Sequence, residues 1–419
     1  MLTITTLPVI FMLVLCCHIG TVVCEQPLEE DLKHFDIRIP TLDVPTKRTH
    51  YVCQKFKVPD TDTFHAVAFE PLISNHHVVH HMLLFGCDFD VQDTAPHDCS
   101  AADGQCRSWL AQWTIGVDGK IYTPDNAGVR FGKHSYKYMS LQIHWNNEQF
   151  AENLTDNSGM RIYYTSKLRH YDVGNVQIGQ QDLDIPPNTV HNESGGCSGT
   201  CTGAMLPYPV YLTRTYIHMH HLGIKGHLEV YRDGRFSKKV AYDMDYDYKH
   251  SPIHEHDPPI EIRPGDEIRL TCTFDSLTGD RKRNHSLYFG EGSDAEMCYA
   301  FVTYFPNVPY FDQCIQFDEY DINCVEPGKP FMGGCNFGKF QQDLQSHLLE
   351  DITTKCQNKL ALCSQECRTS VTHLLDHPCL QGRLGSYSKR TILSQMPAWT
   401  DTSQVVTRFT EACNVTQTN

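Results

Sequence analysis

The stretch Tyr136-Lys137-Tyr138-Met139-Ser140-Leu141-Gln142-Ile143-His144-Trp145 decides the fold class. Met139, Leu141, Ile143 and Trp145 recur at every second position, with Tyr138, Ser140, Gln142 and His144 between them, so the segment reads as a strand with one apolar face. His144 falls on the opposite, polar face. Working outward, short alternating runs broken by turn residues continue from about Tyr51 to Phe317, a pattern of antiparallel sandwiches or barrels rather than of βαβ units. Ile268, Leu270, Cys272 and Phe274 alternate after Pro264-Gly265. Leu228–Val230 and Phe236–Val240 flank Asp233-Gly234, a pair that tolerates the positive φ values of a type I′ turn, so they predict a hairpin. Alternation breaks at Pro186-Pro187-Asn188 and Ser194-Gly195-Gly196, which predicts a linker between two β units near Asp184 to Ser198. Beyond Cys324, Phe340, Leu344, Leu348, Ile352, Leu360, Val371 and Leu374 recur at helical spacings, and Cys356, Cys363 and Cys367 are expected along one helical face. The expected architecture is mainly β: two successive antiparallel, jelly-roll-like β-sandwiches over 35–185 and 186–320, then a partly helical, Cys-rich extension over 321–419.

The chain has 419 residues with 35 Lys and Arg against 50 Asp and Glu, a formal net charge of −15 that would repel a phosphate backbone. Nucleic acid is excluded as a natural partner. Two other counts stand out, 19 Cys and 24 His, because thiols form disulfides or soft-metal sites and imidazole is the commonest metal ligand. The compartment decides between them. Leu7 to Val23 is apolar, residues 1–24 contain no Lys, Arg, Asp or Glu, and acidic residues follow at once, which predicts a secretory signal peptide over 1–24. The run is short for a bilayer span, and no later segment is expected to cross a membrane. Removing Cys16, Cys17 and Cys24 from 19 leaves 16 cysteines, an even number suited to disulfides in an oxidising compartment. Disulfide staples are preferred to a zinc site for the C-terminal cysteines. Sequons at Asn153, Asn192, Asn284 and Asn414 fit a secreted or vesicle-lumen protein.

Three histidine clusters and one methionine carry the chemistry. His80 and His81 adjoin on a strand, so both reach one ion only if the strand is twisted or bulged there. His144 is the second element. In His218-Met219-His220-His221, the i, i+2 pair His218 and His220 shares a strand face and makes a two-point metal grip, while His221 points away. A single strand histidine is ordinarily solvated or hydrogen-bonded, and Met297 is by default a core residue.

Taken together and in order, His80-His81-Met82-Leu83-Leu84-Phe85-Gly86-Cys87, Leu141-Gln142-Ile143-His144, His218-Met219-His220-His221-Leu222-Gly223 and Glu296-Met297-Cys298 resemble the copper type II, ascorbate-dependent monooxygenases. The likeness covers roughly residues 35–320. It implies one copper on His80, His81 and His144, a second on His218, His220 and Met297, ascorbate as reductant, and O₂ with a small molecule as substrates. A neutral thioether is soft and favours Cu(I), the state that binds O₂, so His218, His220 and Met297 are the expected catalytic set, and the three-imidazole centre is expected to deliver electrons. Gln142 and Tyr216 are expected near these ligands. The resemblance also implies the disulfides Cys53–Cys99, Cys87–Cys106 and Cys272–Cys298, with Cys314 returning to Cys197 or Cys201, the second taken as the working pair.

Within the family, the peptide-amidating branch implies an Arg two residues before the first His of the His-x-His pair, where it clamps a peptide carboxylate. Tyr216 occupies that position. The Asn and Tyr of that branch, two and four residues after the methionine, are Tyr299 and Phe301 here. Cys197-Ser-Gly-Thr-Cys201 and the Cys-rich extension look more like the dopamine β-hydroxylase and monooxygenase-X branch, although the regulatory β domain of that branch has no counterpart in the 25–30 or so residues that precede the likeness. The expectation is a secreted copper monooxygenase that hydroxylates an sp³ C–H bond of a small amine or aromatic compound. Its alternatives are peptidylglycine hydroxylation and a copper-binding protein that has kept the fold without catalysis.

Overall fold

The computed structural model describes the chain from Leu32 to Cys413, except residues 88–90, 92–93, 100–105, 107, 118, 249–250, 291, 293, 323, 325–333, 337–338, 341–348, 357–361, 390–392 and 394–396. The expected signal peptide, Leu344, Leu348, Leu360 and Asn414 therefore lie outside the described residues.

Two sheets form the first half. One runs Lys33–Arg38, Gly159–Thr165, Thr63–Leu72, Ala127–Gly132, Tyr171–Asp172, and the other His97–Asp98, Thr49–Lys57, Tyr138–Asn146, Val79–Cys87, Ser108–Thr114. Phe64, Phe69, Phe131 and Ile162 of the first meet Met82, Leu84, Met139, Leu141, Ile143 and Trp145 of the second in one buried core. Alternation on Tyr138–Asn146 thus points its apolar side chains inward as the sequence predicts. The other, polar face is covered too: Ser140, Gln142 and His144 are also buried. This strand is the middle member of its sheet, and further parts of the chain cover its outer side.

The second half repeats the plan. Its larger sheet runs Ile253–Ile262, Val210–His218, Cys298–Phe305, Gly174–Gln180, Gln313–Phe317, Tyr320–Asp321, and its smaller one Val190–Cys197, Glu267–Asp275, Gly223–Arg232, Arg235–Asp243. Val176, Ile178, Ile217, Leu228, Leu270, Phe274 and Val302 fill the space between them. Asp233 and Gly234 have φ of 52° and 72°, the two positive values that join the last two strands in the predicted tight hairpin. Most pairings are antiparallel; Gly174–Gln180 with Gln313–Phe317 is parallel.

The expected linker is corrected. Asp184–Ile185 pairs with Leu287–Tyr288, and Val190–Cys197 with Glu267–Asp275, so the Pro-rich break over 186–189 is a turn between two strands of the second half, and the Gly-rich part is sheet. The chain passes into the second pair of sheets earlier, between Asp172 and Gly174. Gly195 and Gly196 stay in the strand because a Cβ at Gly195 would lie 2.8 Å from the Gln180 side chain and one at Gly196 2.1 Å from the Ile268 carbonyl oxygen.

Helices Leu349–Lys355, Gln365–Leu375, Gly382–Tyr387 and Pro397–Ala412 make up much of the tail. Their apolar residues, including Leu349, Ile352, Val371, Leu374 and Phe409, continue the second half's core, and Arg383 reaches Asp182 at 2.9 Å. Cys356, Cys363 and Cys367 are not on one helix: the first helix ends at Lys355 and the next starts after the cap residue Ser364, whose hydroxyl accepts from the Cys367 amide. All three are disulfide-bonded, as Cys356–Cys367 and Cys363–Cys413, alongside Cys335–Cys379. Cys53–Cys99, Cys87–Cys106 and Cys272–Cys298 form as implied. The working pair Cys201–Cys314 does not. Cys314 bonds Cys197, and Cys201 bonds Cys324: the end of strand Val190–Cys197 and the first turn of helix Gly199–Met205 bring the two cysteines close together in the core, where the tertiary path of the chain selects the partners.

Candidate metal centres

The first centre is made by a bulge. Across the Val79–Cys87 and Tyr138–Asn146 pairing, His144 stands opposite His81 while Trp145 stands opposite Val79, which leaves His80 as an extra residue on its strand. A bulge re-aims consecutive side chains, so neighbours that regular pleating would send to opposite faces converge. The Nδ1 atoms of His80 and His81 are 3.3 Å apart, and those of His81 and His144 are also 3.3 Å apart. All three residues offer ligand atoms within 4.8 Å of one another. Tyr51, opposite His144 on the neighbouring strand, stacks on its ring at 4.4 Å and fixes its plane. Burial, reinforced by the neighbouring imidazoles, pushes the pKa values of His81 and His144 well down. His81 and His144 are therefore held as neutral imidazoles, the form that ligates a metal. Metal–imidazole bonds of about 2.0–2.1 Å in tetrahedral array separate the nitrogens by about 3.3–3.4 Å, so the spacing found here fits one ion.

The second group lies at the end of Val210–His218. The rings of His218 and His220 are 5.2 Å apart and nearly perpendicular, and burial lowers both pKa values. His220 Nδ1 donates to the Ala295 carbonyl at 2.9 Å, which leaves Nε2 with the free lone pair that a metal needs. His218 stands opposite Tyr299 in the register with Cys298–Phe305, so the chain running back through Cys298 to Met297 passes beside residues 219 and 220. Met297 is buried, and the Cys272–Cys298 disulfide ties its neighbour to the facing sheet. Two imidazoles and a thioether suit a soft ion.

Glu296 fastens this group together. Its carboxylate accepts from the backbone N–H of His220 at 2.8 Å, of Leu222 at 2.6 Å and of Met297 at 3.3 Å, and it is fully buried. Burial pushes its pKa up to about 8, and the three N–H donors oppose that rise.

Both halves bear the marks of one family. Residues 35–152 match the N-terminal domain, and residues 171–323 the C-terminal domain, of copper type II ascorbate-dependent monooxygenases. The chain belongs to this family. Proteins it resembles include the DBH-like monooxygenase protein 1 of Gallus gallus, 30% identical over 297 residues covering 66% of this chain and 48% of that protein. The dopamine beta-hydroxylases of Homo sapiens and Bos taurus are 30% and 31% identical over 299 and 296 residues, each covering 67% of this chain and 48% of theirs. The chain thus spans about half the length of the curated relatives it matches.

The other residues singled out from sequence fall as follows. Gln142 is buried in mid-strand, two residues from His144, and is not solvent-facing. Tyr216 is buried with its hydroxyl 3.5 Å from His218 Nδ1, and Ser251 and Thr114 also hydrogen-bond it. His221 points away, its Nε2 at 3.3 Å from Asp280. Asn153, Asn192 and Asn284 are exposed. Sequence reasoning gave no role to Tyr51, Tyr248 or Glu296. Glu296 stood inside a quoted motif, and its position next to the ligand candidate Met297 was the available signal; the two tyrosines gave none, since their placement follows from sheet register and loop path.

Proposed function

We propose that this chain is a secreted copper monooxygenase that hydroxylates an sp³ C–H bond of a small amine or aromatic compound. One atom of O₂ enters the product and the other leaves as water, with two electrons from ascorbate. Copper held by His80, His81 and His144 would supply electron storage, and copper held by His218, His220 and Met297 would supply O₂ activation. The observation that carries this reading is the convergence of ligand atoms from His80, His81 and His144, in a chain that also sets a His-x-His pair beside the buried Glu296 and Met297.

The residues around His218 favour a neutral or aromatic substrate. Phe301 lies 6.2 Å from the His218 ring and 5.1 Å from Trp109, and Tyr216 stacks on Phe301. Arg214 cannot serve as a carboxylate clamp, because its guanidinium is already bound to Glu255 at 2.6 Å and to the Tyr122 carbonyl at 3.0 Å. Eight disulfides suit the oxidising secretory route, and the exposed sequons agree with it. Among the described residues no helix is long and apolar enough to cross a membrane.

Oxygen consumption with ascorbate and copper, measured against phenethylamines and glycine-extended peptides, tests the proposal. Turnover of an amine with equimolar product is expected. Saturable turnover of glycine-extended peptides with no activity on any amine would replace the substrate class, and two bound coppers without any turnover would leave a copper-binding protein.

A further inference from the structure

An aromatic ring lies between the two histidine groups. Tyr248, on the connection between Arg235–Asp243 and Ile253–Ile262, lays its ring on His80 at 5.2 Å and 26°, and meets the edge of His220 at 6.1 Å and 73°. One side chain thus touches a member of each histidine group. It reaches there from a firm base. Two residues earlier, the buried Tyr246 accepts from the Met219 amide at 2.9 Å and donates to the Met219 carbonyl at 2.7 Å, on the residue between His218 and His220. The Tyr246 amide itself donates to the Ile224 carbonyl, and the Ser251 hydroxyl to the Asp247 carbonyl. The loop is therefore built onto the second group, and Tyr248 is the part of it that extends to the first.

We propose that Tyr248 is a positioning residue that sets the spacing between the two centres, its ring wedged between His80 of one and His220 of the other. This rests on the copper reading above. An electron passing from the three-imidazole centre to the thioether centre must cross the gap that this ring fills, and electron transfer slows steeply with distance. The ring rather than the hydroxyl does the positioning, since both contacts are made by the flat face and edge of the ring.

The test compares Tyr248→Phe and Tyr248→Ala in full-length, copper-loaded protein, with copper stoichiometry measured first. Tyr248→Phe should behave as the parent. Tyr248→Ala should still bind two coppers, show weaker dipolar broadening between the two Cu(II) ions in frozen solution, and lose about tenfold or more in kcat with little change in KM, because displacements of about 1 Å can cost about a hundredfold. In metal-free protein, backbone amides of Val79–Met82 should exchange faster in Tyr248→Ala than in Tyr248→Phe. Where Tyr248→Ala fails to hold copper, Tyr248→Leu, which keeps apolar bulk without a flat ring, takes its place. Unchanged broadening and exchange in the Ala or Leu variant would overturn the proposal, as would a Phe variant as impaired as either. A parent protein that never binds two coppers would instead reject the copper reading itself, before any variant is compared.

Discussion

Replacing Glu296 with Gln changes one atom and tests how the second centre is held. In the parent, one carboxylate oxygen receives the Leu222 N–H at 2.6 Å, and the other receives those of His220 at 2.8 Å and Met297 at 3.3 Å. An amide has one acceptor oxygen. Placed toward His220 and Met297, it turns its NH₂ group against the Leu222 N–H, so a buried donor loses its partner and faces another donor. An orphaned buried donor costs roughly 1–3 kcal/mol, so a destabilisation of about 1–3 kcal/mol is expected. Groups that orient metal ligands from behind typically change affinity about 10–100-fold, and a loss of that size is expected at the second copper only. Urea unfolding of the metal-free, disulfide-intact protein measures the first quantity, and competitive copper titration the second, with the His80, His81 and His144 site as internal control. A Glu296→Gln protein within about 0.5 kcal/mol of the parent, the spread of ordinary surface substitutions, and with unchanged copper affinity would refute the reasoning. It would mean that the three backbone N–H bonds to Glu296 do not hold the second centre in place.

Three further outcomes are expected. Met297→Ala should cost about 2–5 kcal/mol as a buried truncation and should abolish O₂ consumption while the three-histidine site still loads; normal turnover would return Met297 to the core residues. Non-reducing peptide mapping should recover Cys272–Cys298, Cys197–Cys314 and Cys201–Cys324, and a free thiol at Cys298 in active protein would contradict the way Met297 is anchored. Burial lowers the His256 pKa to about 4, with His254 adding to the shift, so the unfolded chain takes up this proton near pH 6.5 and the folded chain only near 4. Its contribution to stability is therefore full above about pH 6.5 and declines as pH falls toward 4, and a stability–pH slope in that window unaltered by His256→Gln would count against this assignment.

Strand identity, face and turn type were legible in the sequence, because they are local. The alternation through Met139, Leu141, Ile143 and Trp145 follows from the two-residue period of any strand, and Asp233-Gly234 from the φ values those residues tolerate. The six candidate ligands were likewise named from their motifs and order. What period and motif do not carry is anything set by register or by contact between distant segments. Whether His80 and His81 could share one ion depended on where a bulge fell, and that is settled by the pairing of Val79–Cys87 with a strand some sixty residues away. Cys197 and Cys201 were equivalent partners for Cys314 in sequence, and only the path of the chain past Phe317 to Cys324 separated them. Gly195 and Gly196 read as turn residues, yet they lie in a sheet because close approach of Gln180 and Ile268 demands residues without side chains. The sequence marked the second face of Tyr138–Asn146 only as polar, while its packing depends on contacts such as the ring of Tyr51 stacked on His144, which register brings from the neighbouring strand. Local sterics and periodicity are properties of neighbouring residues and survive in the sequence; convergence of donors into one buried site is a property of packing, and it exists only when the chain is folded.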